Sequence, residues 1–229
     1  LAQHKDLVWV LASLALMLGS GAWLLHRQRG HAAPMLPVDL MRRPLFRLSV
    51  FTSLSAFTTQ GLAYVALPFY LQQQLGRPPL ETGVLMSVWA LVVALMAPVA
   101  GSLSDRHPPA ILGGVGLAIL SVGMAALCAM GADTSTLVMA LAMGVCGMGF
   151  GLYQSPNLRA IMASAPPSRS SGASGMVALA RLTGQASGAA LVAMCFHTFG
   201  ALGAGRALVL GAATAALGAL LSLARLRFP

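Results

Sequence analysis

Long apolar runs alternate with short polar breaks along almost the whole chain. Seven of these runs approach the roughly 20 residues that an α-helix needs to cross the hydrocarbon core of a bilayer. They lie at about 7–25, 46–75, 81–103, 109–130, 135–163, 170–197 and 204–224. Most breaks between them contain proline or glycine, which end helices. The pattern therefore predicts an all-α protein that crosses a membrane seven times.

The composition agrees with a membrane protein. Of the 229 residues, 57% are hydrophobic and only 8% are charged, whereas a soluble domain carries roughly 25% charged residues. So few charges cannot cover a water-exposed surface, but a bilayer requires an apolar exterior. The net charge of +9 does not indicate nucleic-acid binding, because the arginines are scattered at the ends of apolar runs. We therefore expect the lipid bilayer as a partner and do not expect nucleic acid.

Basic residues are distributed unequally between the two sides of the predicted membrane. Seven crossings place three of them on one side: Lys5, Arg77 and Arg206. Ten fall on the other side: Arg27, Arg29, Arg42, Arg43, Arg47, Arg106, Arg159, Arg169, Arg225 and Arg227. Cytoplasmic loops are enriched in Lys and Arg. The sequence thus predicts a multi-pass protein of the cell (inner) membrane, with the linker 27–45 and the C-terminus in the cytoplasm.

Polar side chains concentrate in three of the runs and form the candidate substrate cavity. The candidates are Gln60, Tyr64, Tyr153, Gln154, Asn157 and Arg181. Polar groups are costly in hydrocarbon, so these residues are expected to face a cavity or the interior of the bundle. Tyrosines and amides can bind bulky amphipathic ligands. Hydrogen bonding between helices is the alternative, because membrane bundles use it routinely.

Arg181 stands in an otherwise apolar segment with no acidic residue near it. It lies about eleven residues into its run, roughly 16 Å from the cytoplasmic end and near the middle of a core roughly 30 Å thick. One interpretation is a cation that faces the cavity. The other is a side chain that extends to the interface, or that backbone carbonyls and glutamine cap inside the bundle. The sequence alone does not choose between them.

The six runs after the first form two triplets, each ordered from polar to intermediate to apolar. Three plus three helices around a cavity is the arrangement of secondary transporters built from repeats. Two glycine pairs, Gly147 with Gly151 and Gly184 with Gly188, have the spacing of close helix packing. The predicted architecture is one peripheral helix plus a six-helix bundle of two three-helix inverted repeats.

Four stretches carry a resemblance to a known family. They are "PVDLMRRPLFRLS" (37–49), "LPFYLQQQLGRPPLETGVLM" (67–86), "APVAGSLSDR" (97–106) and "PPSRSSGASGMVALARLTGQASGAAL" (166–191). In this order they resemble the C-terminal part of a fourteen-span major facilitator superfamily transporter of the EmrB/QacA drug:proton antiporter type. The resemblance implies a peripheral transmembrane helix at 1–26, a basic cytoplasmic linker at 27–45 and a six-helix C-terminal domain at 46–229.

The resemblance also implies an activity and the partners for it. The expected function is export of drugs or amphipathic small molecules by proton antiport with alternating access. The substrate would lie between this half and an N-terminal six-helix half that the sequence does not contain. The alternative is a membrane half-subunit that does not transport, or that transports only with a partner.

The stretch before the fourth run resembles the cytoplasmic gate loop of that family, with Gly101, Asp105 and Arg106 as its residues here. In the family this loop holds helices together on the cytoplasmic side, and a gate needs contacts present in only one state. The basic half of the family motif is missing after Arg106, which predicts a weaker contact. A solvated turn is the alternative interpretation.

The acidic and metal-binding residue types are also informative. All five acids, Asp6, Asp39, Glu81, Asp105 and Asp133, lie near span ends or in loops. Proton coupling generally requires a titratable group within the membrane, so the coupling acid is expected outside this chain. The histidines and cysteines lack the spacing of metal ligands. The sequence predicts no metal, no cofactor and no catalytic residues, and hence a protein that is not an enzyme.

Overall fold

The computed structural model describes residues 39–228, together with Gly19, Trp23 and His26. Within this part the regular structure is helical, and six long helices follow one another along the chain. They are α1 (Pro44–Phe69), α2 (Pro79–Leu103), α3 (Pro109–Cys128), α4 (Thr136–Ala163), α5 (Ser170–Phe199) and α6 (Gly203–Ala224). A π-helical turn at Tyr70–Gln74 extends α1, and 3-10 turns lie at Leu40–Arg42, Pro167–Arg169, Gly200–Leu202 and Arg225–Arg227.

The ends of the helices follow from local sequence chemistry. Prolines occupy the first position of α1, α2 and α3, where the missing N–H has no intrahelical partner to lose. Ser135 caps α4, and its hydroxyl accepts a hydrogen bond from the Val138 N–H at 3.4 Å. Gly76 and Gly200 have φ values of 66° and 55°, a conformation that favours glycine. Gly76 follows the π-helical turn that extends α1, and Gly200 follows the last residue of α5.

The connections between consecutive helices are short, so neighbours in sequence run in opposite directions. Because each triplet contains three crossings, the second triplet (α4–α6) enters the membrane from the side opposite to the first (α1–α3). The main interfaces join α1 to α5 and α6, α2 to α4, and α3 to α4 and α6. If α1 is exchanged with α4, α2 with α5 and α3 with α6, the same list of interfaces is obtained. The two triplets therefore make equivalent contacts. The predicted pair of inverted three-helix repeats is therefore confirmed.

Glycines allow the helix backbones to approach closely, as their spacing indicates. A Cβ atom on Gly188 would lie 2.5 Å from the Thr58 carbonyl oxygen of α1, and one on Gly184 would lie 2.8 Å from that of Leu54. On α4, a Cβ on Gly147 would lie 2.6 Å from a backbone oxygen of α2. Since real Cβ contacts are not this short, both glycine pairs pack helices together, α5 on α1 and α4 on α2.

The membrane-crossing character agrees with the sequence prediction. Five continuous helical stretches in the described part are long and apolar enough to cross a bilayer, and the last of them, Pro167–Arg227, contains both α5 and α6. Burial within the bundle differs strongly: 72% of the apolar part of α1 is buried but only 17% of that of α2. The predicted peripheral helix, apart from Gly19, Trp23 and His26, and the linker up to residue 38 lie outside the described residues.

Candidate substrate cavity

Three helices line a cavity of about 250 Å³ in the half of the bundle that contains Arg159 and Arg225. Its lining comes from α1, α4 and α5 and combines polar with apolar side chains. The lining residues are Ser53, Phe57, Tyr153, Gln154, Asn157, Leu158, Ser174, Val177, Ala178 and Arg181. The position follows from the packing, because α1 contacts α5 closely and contacts α4 less extensively. The wider separation of α4 and α5 leaves the space.

Four of the six predicted cavity residues meet at this place. Tyr153, Gln154 and Asn157 lie on consecutive turns of α4, and Arg181 reaches the cavity from α5. Tyr153 and Asn157 are each 1% exposed, whereas Gln154 and Arg181 are exposed. Within the described residues the Arg181 guanidinium has no ion-pair or hydrogen-bond partner. Arg181 is thus a lining residue of this cavity, and its role as a cavity cation stays a prediction.

The structure places Gln60 and Tyr64 elsewhere on α1. The side-chain amide of Gln185 on α5 donates to Gln60 Oε1 at 2.9 Å, so Gln60 joins the two helices. Tyr64 is 42% exposed and packs edge-on against Trp89 of α2, with ring centroids 5.9 Å apart. Neither residue is among those that line the cavity of Ser53 and Arg181. Gln60 therefore forms a hydrogen bond between helices, which is the alternative that the sequence left open.

A buried arginine next to the cavity was missed by reasoning from sequence. Arg225 follows the last residue of α6, and its side chain is 2% exposed. The sequence counted it with the other basic residues on its side of the membrane and gave it no role of its own. The available signal was Ser222, one helical turn earlier, whose hydroxyl and carbonyl both accept from Arg225. That spacing is too common to distinguish Arg225 from Arg227.

The Arg225 guanidinium joins four helices. Nη1 donates to Ser49 Oγ of α1 at 3.1 Å and to Asn157 Oδ1 of α4 at 2.7 Å. Nη2 donates to the Pro109 carbonyl at the start of α3 at 3.3 Å and to Ser222 Oγ, while Nε donates to the Ser222 carbonyl at 3.1 Å. All five N–H groups of the guanidinium therefore have an acceptor. The Asn157 side chain belongs both to this network and to the cavity.

The residues of the predicted gate loop lie at the same end of the bundle. Asp105 follows α2 and forms an ion pair with Arg159 of α4, with both side chains largely exposed. Arg106 is exposed and makes no ion pair within the described part of the chain. Gly101 lies in the last turn of α2, where an added Cβ would meet no atom within 4 Å. Of the three predicted residues, Asp105 supplies the ion pair that joins the loop to α4.

The opposite end of the bundle has its own polar contacts. Arg77 donates to Glu81 Oε1 at 3.3 Å and to the carbonyl oxygens of Ala132 and Thr134, between α3 and α4. The hydroxyl of Thr136 donates to the same Glu81 oxygen at 2.6 Å. This cluster connects the α1–α2 turn to the α3–α4 turn. Polar contacts therefore join helices of both repeats at each end of the molecule.

Comparison with known proteins identifies the family. The family model of the Major Facilitator Superfamily matches residues 7–189 and 49–229. The chain belongs to the Major Facilitator Superfamily. The fold is that of the six-helix C-terminal bundle of this superfamily, as the resemblance implied. Its relatives are named transporters, and superfamily members are not enzymes, so the prediction of a non-enzymatic protein is confirmed.

Individual relatives of the superfamily align over different parts of the chain. The uncharacterized transporter YebQ of Escherichia coli is 45% identical over 228 residues, which is 100% of this chain and 50% of YebQ. The riboflavin transporter RibZ of Clostridioides difficile is 30% identical over 55% of this chain and 29% of its own length. The multidrug resistance protein Stp of Mycobacterium tuberculosis is 28% identical over 74% and 31%. The chain spans about half the length of YebQ and less of the other two.

Proposed function

We propose that this chain forms the C-terminal half of a secondary active transporter that exports drugs or other amphipathic small molecules. Transport would proceed by alternating access and proton antiport, in a fourteen-span protein of the EmrB/QacA type. The observation that carries the proposal is the cavity between α1, α4 and α5, where Arg181 and Gln154 lie exposed beside Phe57 and Leu158. Such a mixture of aromatic, apolar and polar groups is typical of ligand sites.

An N-terminal six-helix half is part of this proposal. The exposed apolar side chains of α2 include Leu80, Leu91 and Leu95, which are 82%, 60% and 62% exposed. Together with the exposed side of α5, which carries Arg181, this surface would pack against a second six-helix half. YebQ, of which the chain matches 50%, has the length for both halves. Substrate would then be held between the two.

Proton coupling would depend on a residue outside this chain. The acids in the described part lie at the ends of helices: Asp39 pairs with Arg169, Glu81 with Arg77 and Asp105 with Arg159, and Asp133 is exposed in a turn. None of these carboxylates lies in the middle of a membrane span, where a coupling group is required. The acid that exchanges protons is therefore expected in the N-terminal half.

The proposed orientation places the Arg225 end of the bundle in the cytoplasm of a multi-pass inner-membrane protein. The starts of α1 and α3 and the ends of α4 and α6 meet around Arg225, and most described arginines lie at this end. The opposite end has Arg77 and Arg206. Enrichment of basic residues on the cytoplasmic side supports this direction.

An efflux experiment tests the proposal directly. The full-length gene is expressed in a strain that lacks its own drug exporters, and the accumulation of fluorescent dyes is followed with and without an uncoupler of the proton gradient. The proposal expects low dye accumulation that rises when the gradient is collapsed. The matched control is the same strain without the gene. Accumulation that does not respond to the gradient would contradict proton antiport.

A second candidate is a half-subunit that acts only with another chain, or that does not transport. The exposed apolar surface of α2 favours it. Expressing residues 1–229 with a separately encoded six-span half, tagged for affinity purification, distinguishes the two. Recovery of a stable complex that restores dye efflux supports the half-subunit, and efflux only from a single continuous chain excludes it.

A further inference from the structure

Arg225 is unusual among the arginines at its end of the bundle because it is buried. An arginine at the end of a membrane helix ordinarily extends to the aqueous interface, as the exposed Arg227 does two residues later. The fold provides room for the buried guanidinium: a Cβ on Gly113 of α3 would lie 2.9 Å from Arg225 Nη2 and 2.7 Å from Ser222 Oγ. Glycine at position 113 is therefore part of the same arrangement.

The charge of Arg225 has no carboxylate partner among the described residues. Its acceptors are neutral oxygens: two serine hydroxyls, two backbone carbonyls and the side-chain amide of Asn157. Burying an arginine in this way is costly unless every donor is satisfied. Because all five are satisfied, the guanidinium holds each acceptor in a defined orientation.

The orientation of the Asn157 amide follows from its neighbours. The Arg225 Nη1 group can only donate, so Oδ1 must face it, at 2.7 Å. The Ser49 carbonyl can only accept, so Nδ2 must face α1, where it lies 3.2 Å from that oxygen and 2.8 Å from Ser53 Oγ. Both contacts select the same rotation of the amide. Without Arg225 only the Ser49 carbonyl, at 3.2 Å, would hold the amide in this rotation.

The orientation of the Asn157 amide determines how Ser53, a residue that lines the cavity, forms its hydrogen bonds. The Ser53 oxygen accepts a hydrogen bond from Asn157, so the Ser53 O–H donates to a second group, either the neighbouring Tyr153 oxygen or a bound ligand. Ser53 and Asn157 both line the cavity with Arg181, whose donors are unengaged within the described part. The described lining residues include no carboxylate. The lining that this chain contributes is therefore positive and rich in donors.

We propose that Arg225 is a positioning residue that fixes the donor character of the cavity lining, so that the cavity binds an anionic, acceptor-bearing part of its substrate. Carboxylate, sulfonate and phosphate groups belong to this class. Arg181 would contact the anionic group directly, and Arg225 would act through Asn157 and Ser53. The inference rests on the proposed transport function and narrows its substrates to amphipathic molecules with an anionic end.

Binding to the purified full-length transporter in detergent tests the inference with two dyes, carboxyfluorescein as the anion and ethidium as the cation. Wild-type protein should bind carboxyfluorescein more tightly than ethidium. Arg181→Gln should weaken carboxyfluorescein binding about tenfold, the effect of a lost charge-assisted hydrogen bond. Arg225→Gln should weaken it in the same direction but less, because Arg225 does not touch the anion, and both variants should leave ethidium binding unchanged. Arg227→Gln is the matched control, because it removes an exposed charge from the same turn and should change neither.

A variant of the cavity separates positioning from folding. Ser53→Ala removes the hydroxyl that Asn157 orients, changes no charge and leaves Arg225 its acceptors. It should weaken carboxyfluorescein binding in the same direction as Arg225→Gln. If Arg225→Gln does not fold, Ser53→Ala decides the outcome alone. Preference of the wild type for ethidium, or unchanged carboxyfluorescein binding in Ser53→Ala, overturns the inference.

Transport measured in proteoliposomes keeps this inference distinct from the function on which it rests. One possible result is a protein that binds carboxyfluorescein selectively but transports neither dye when a proton gradient is applied. This result would refute the proposed export and support the anionic site. A protein that exports ethidium with the gradient, with no loss of selectivity in the Arg181 or Arg225 variants, would support export and refute the site.

Discussion

The close contact between α5 and α1 allows a quantitative prediction for Gly188→Ala. The added Cβ would lie 2.5 Å from the Thr58 carbonyl oxygen and 2.6 Å from the Leu62 nitrogen, whereas ordinary contacts begin at 3.4 Å. Both obstacles are backbone atoms of α1, which cannot rotate away as a side chain can. The two helices must therefore separate by roughly 0.9 Å at this point, in an interior packed as densely as a crystal.

The expected cost follows from two opposing effects. Overpacking of a dense interface costs about 1–3 kcal/mol, and alanine in place of glycine returns about 1 kcal/mol of helix propensity. Because the obstacle is backbone, the packing cost lies in the upper part of its range, at about 2–3 kcal/mol. We expect a net destabilisation of about 1–2 kcal/mol, which lowers the melting temperature by roughly 2–8 °C in a chain of this size.

Thermal unfolding of the purified protein in detergent, followed by tryptophan fluorescence, measures this difference. The control is Gly83→Ala in α2, where an added Cβ meets no atom within 4 Å. That variant gains helix propensity without a clash and should melt at the wild-type temperature or slightly above it. Equal melting temperatures for Gly188→Ala and wild type would show that close backbone packing does not hold α5 against α1. An equal loss in Gly83→Ala would refute the reasoning as well.

Two further predictions concern polar contacts at the two ends of the bundle. Asp105→Asn should slow efflux while changing stability by less than about 1 kcal/mol, because its ion pair with Arg159 is exposed. The double variant Asp105→Arg/Arg159→Asp should restore the efflux rate in the dye-efflux assay. A double variant as slow as Asp105→Asn would contradict a gating contact. Tyr70→Phe removes the hydroxyl that donates to the Cys128 and Met130 carbonyls and should cost about 1–2 kcal/mol. Thermal unfolding checks it, and an unchanged melting temperature would refute it.

The membrane architecture could be predicted because it depends on properties that act along the chain. A span needs a certain length of apolar sequence, and its ends need proline, glycine or polar residues. Pro44, Pro79 and Pro109 start helices where the sequence predicts breaks. The assignment of Arg159 and Arg225 to one end follows from counting spans alone.

The candidate site could be predicted only in part. Tyr153, Gln154, Asn157 and Arg181 were recognised because polar groups inside apolar spans are rare and require an explanation. The same reasoning cannot separate cavity residues from residues that bond neighbouring helices. Gln60 meets Gln185 rather than the cavity, and only the contact between α1 and α5 decides this.

Sequence alone determined which segments form helices that are long and apolar enough to cross a membrane, which ends of those helices share a side and which superfamily the chain resembles. The first two properties follow from the transfer of each segment between water and lipid, which hardly depends on its neighbours, and the third follows from four short sequence stretches. The tertiary structure decided that Arg225 is buried and that Asn157 presents its amide nitrogen toward Ser53. Such details require acceptors from four helices to converge on one guanidinium, and convergence depends on packing between segments that are far apart in the sequence.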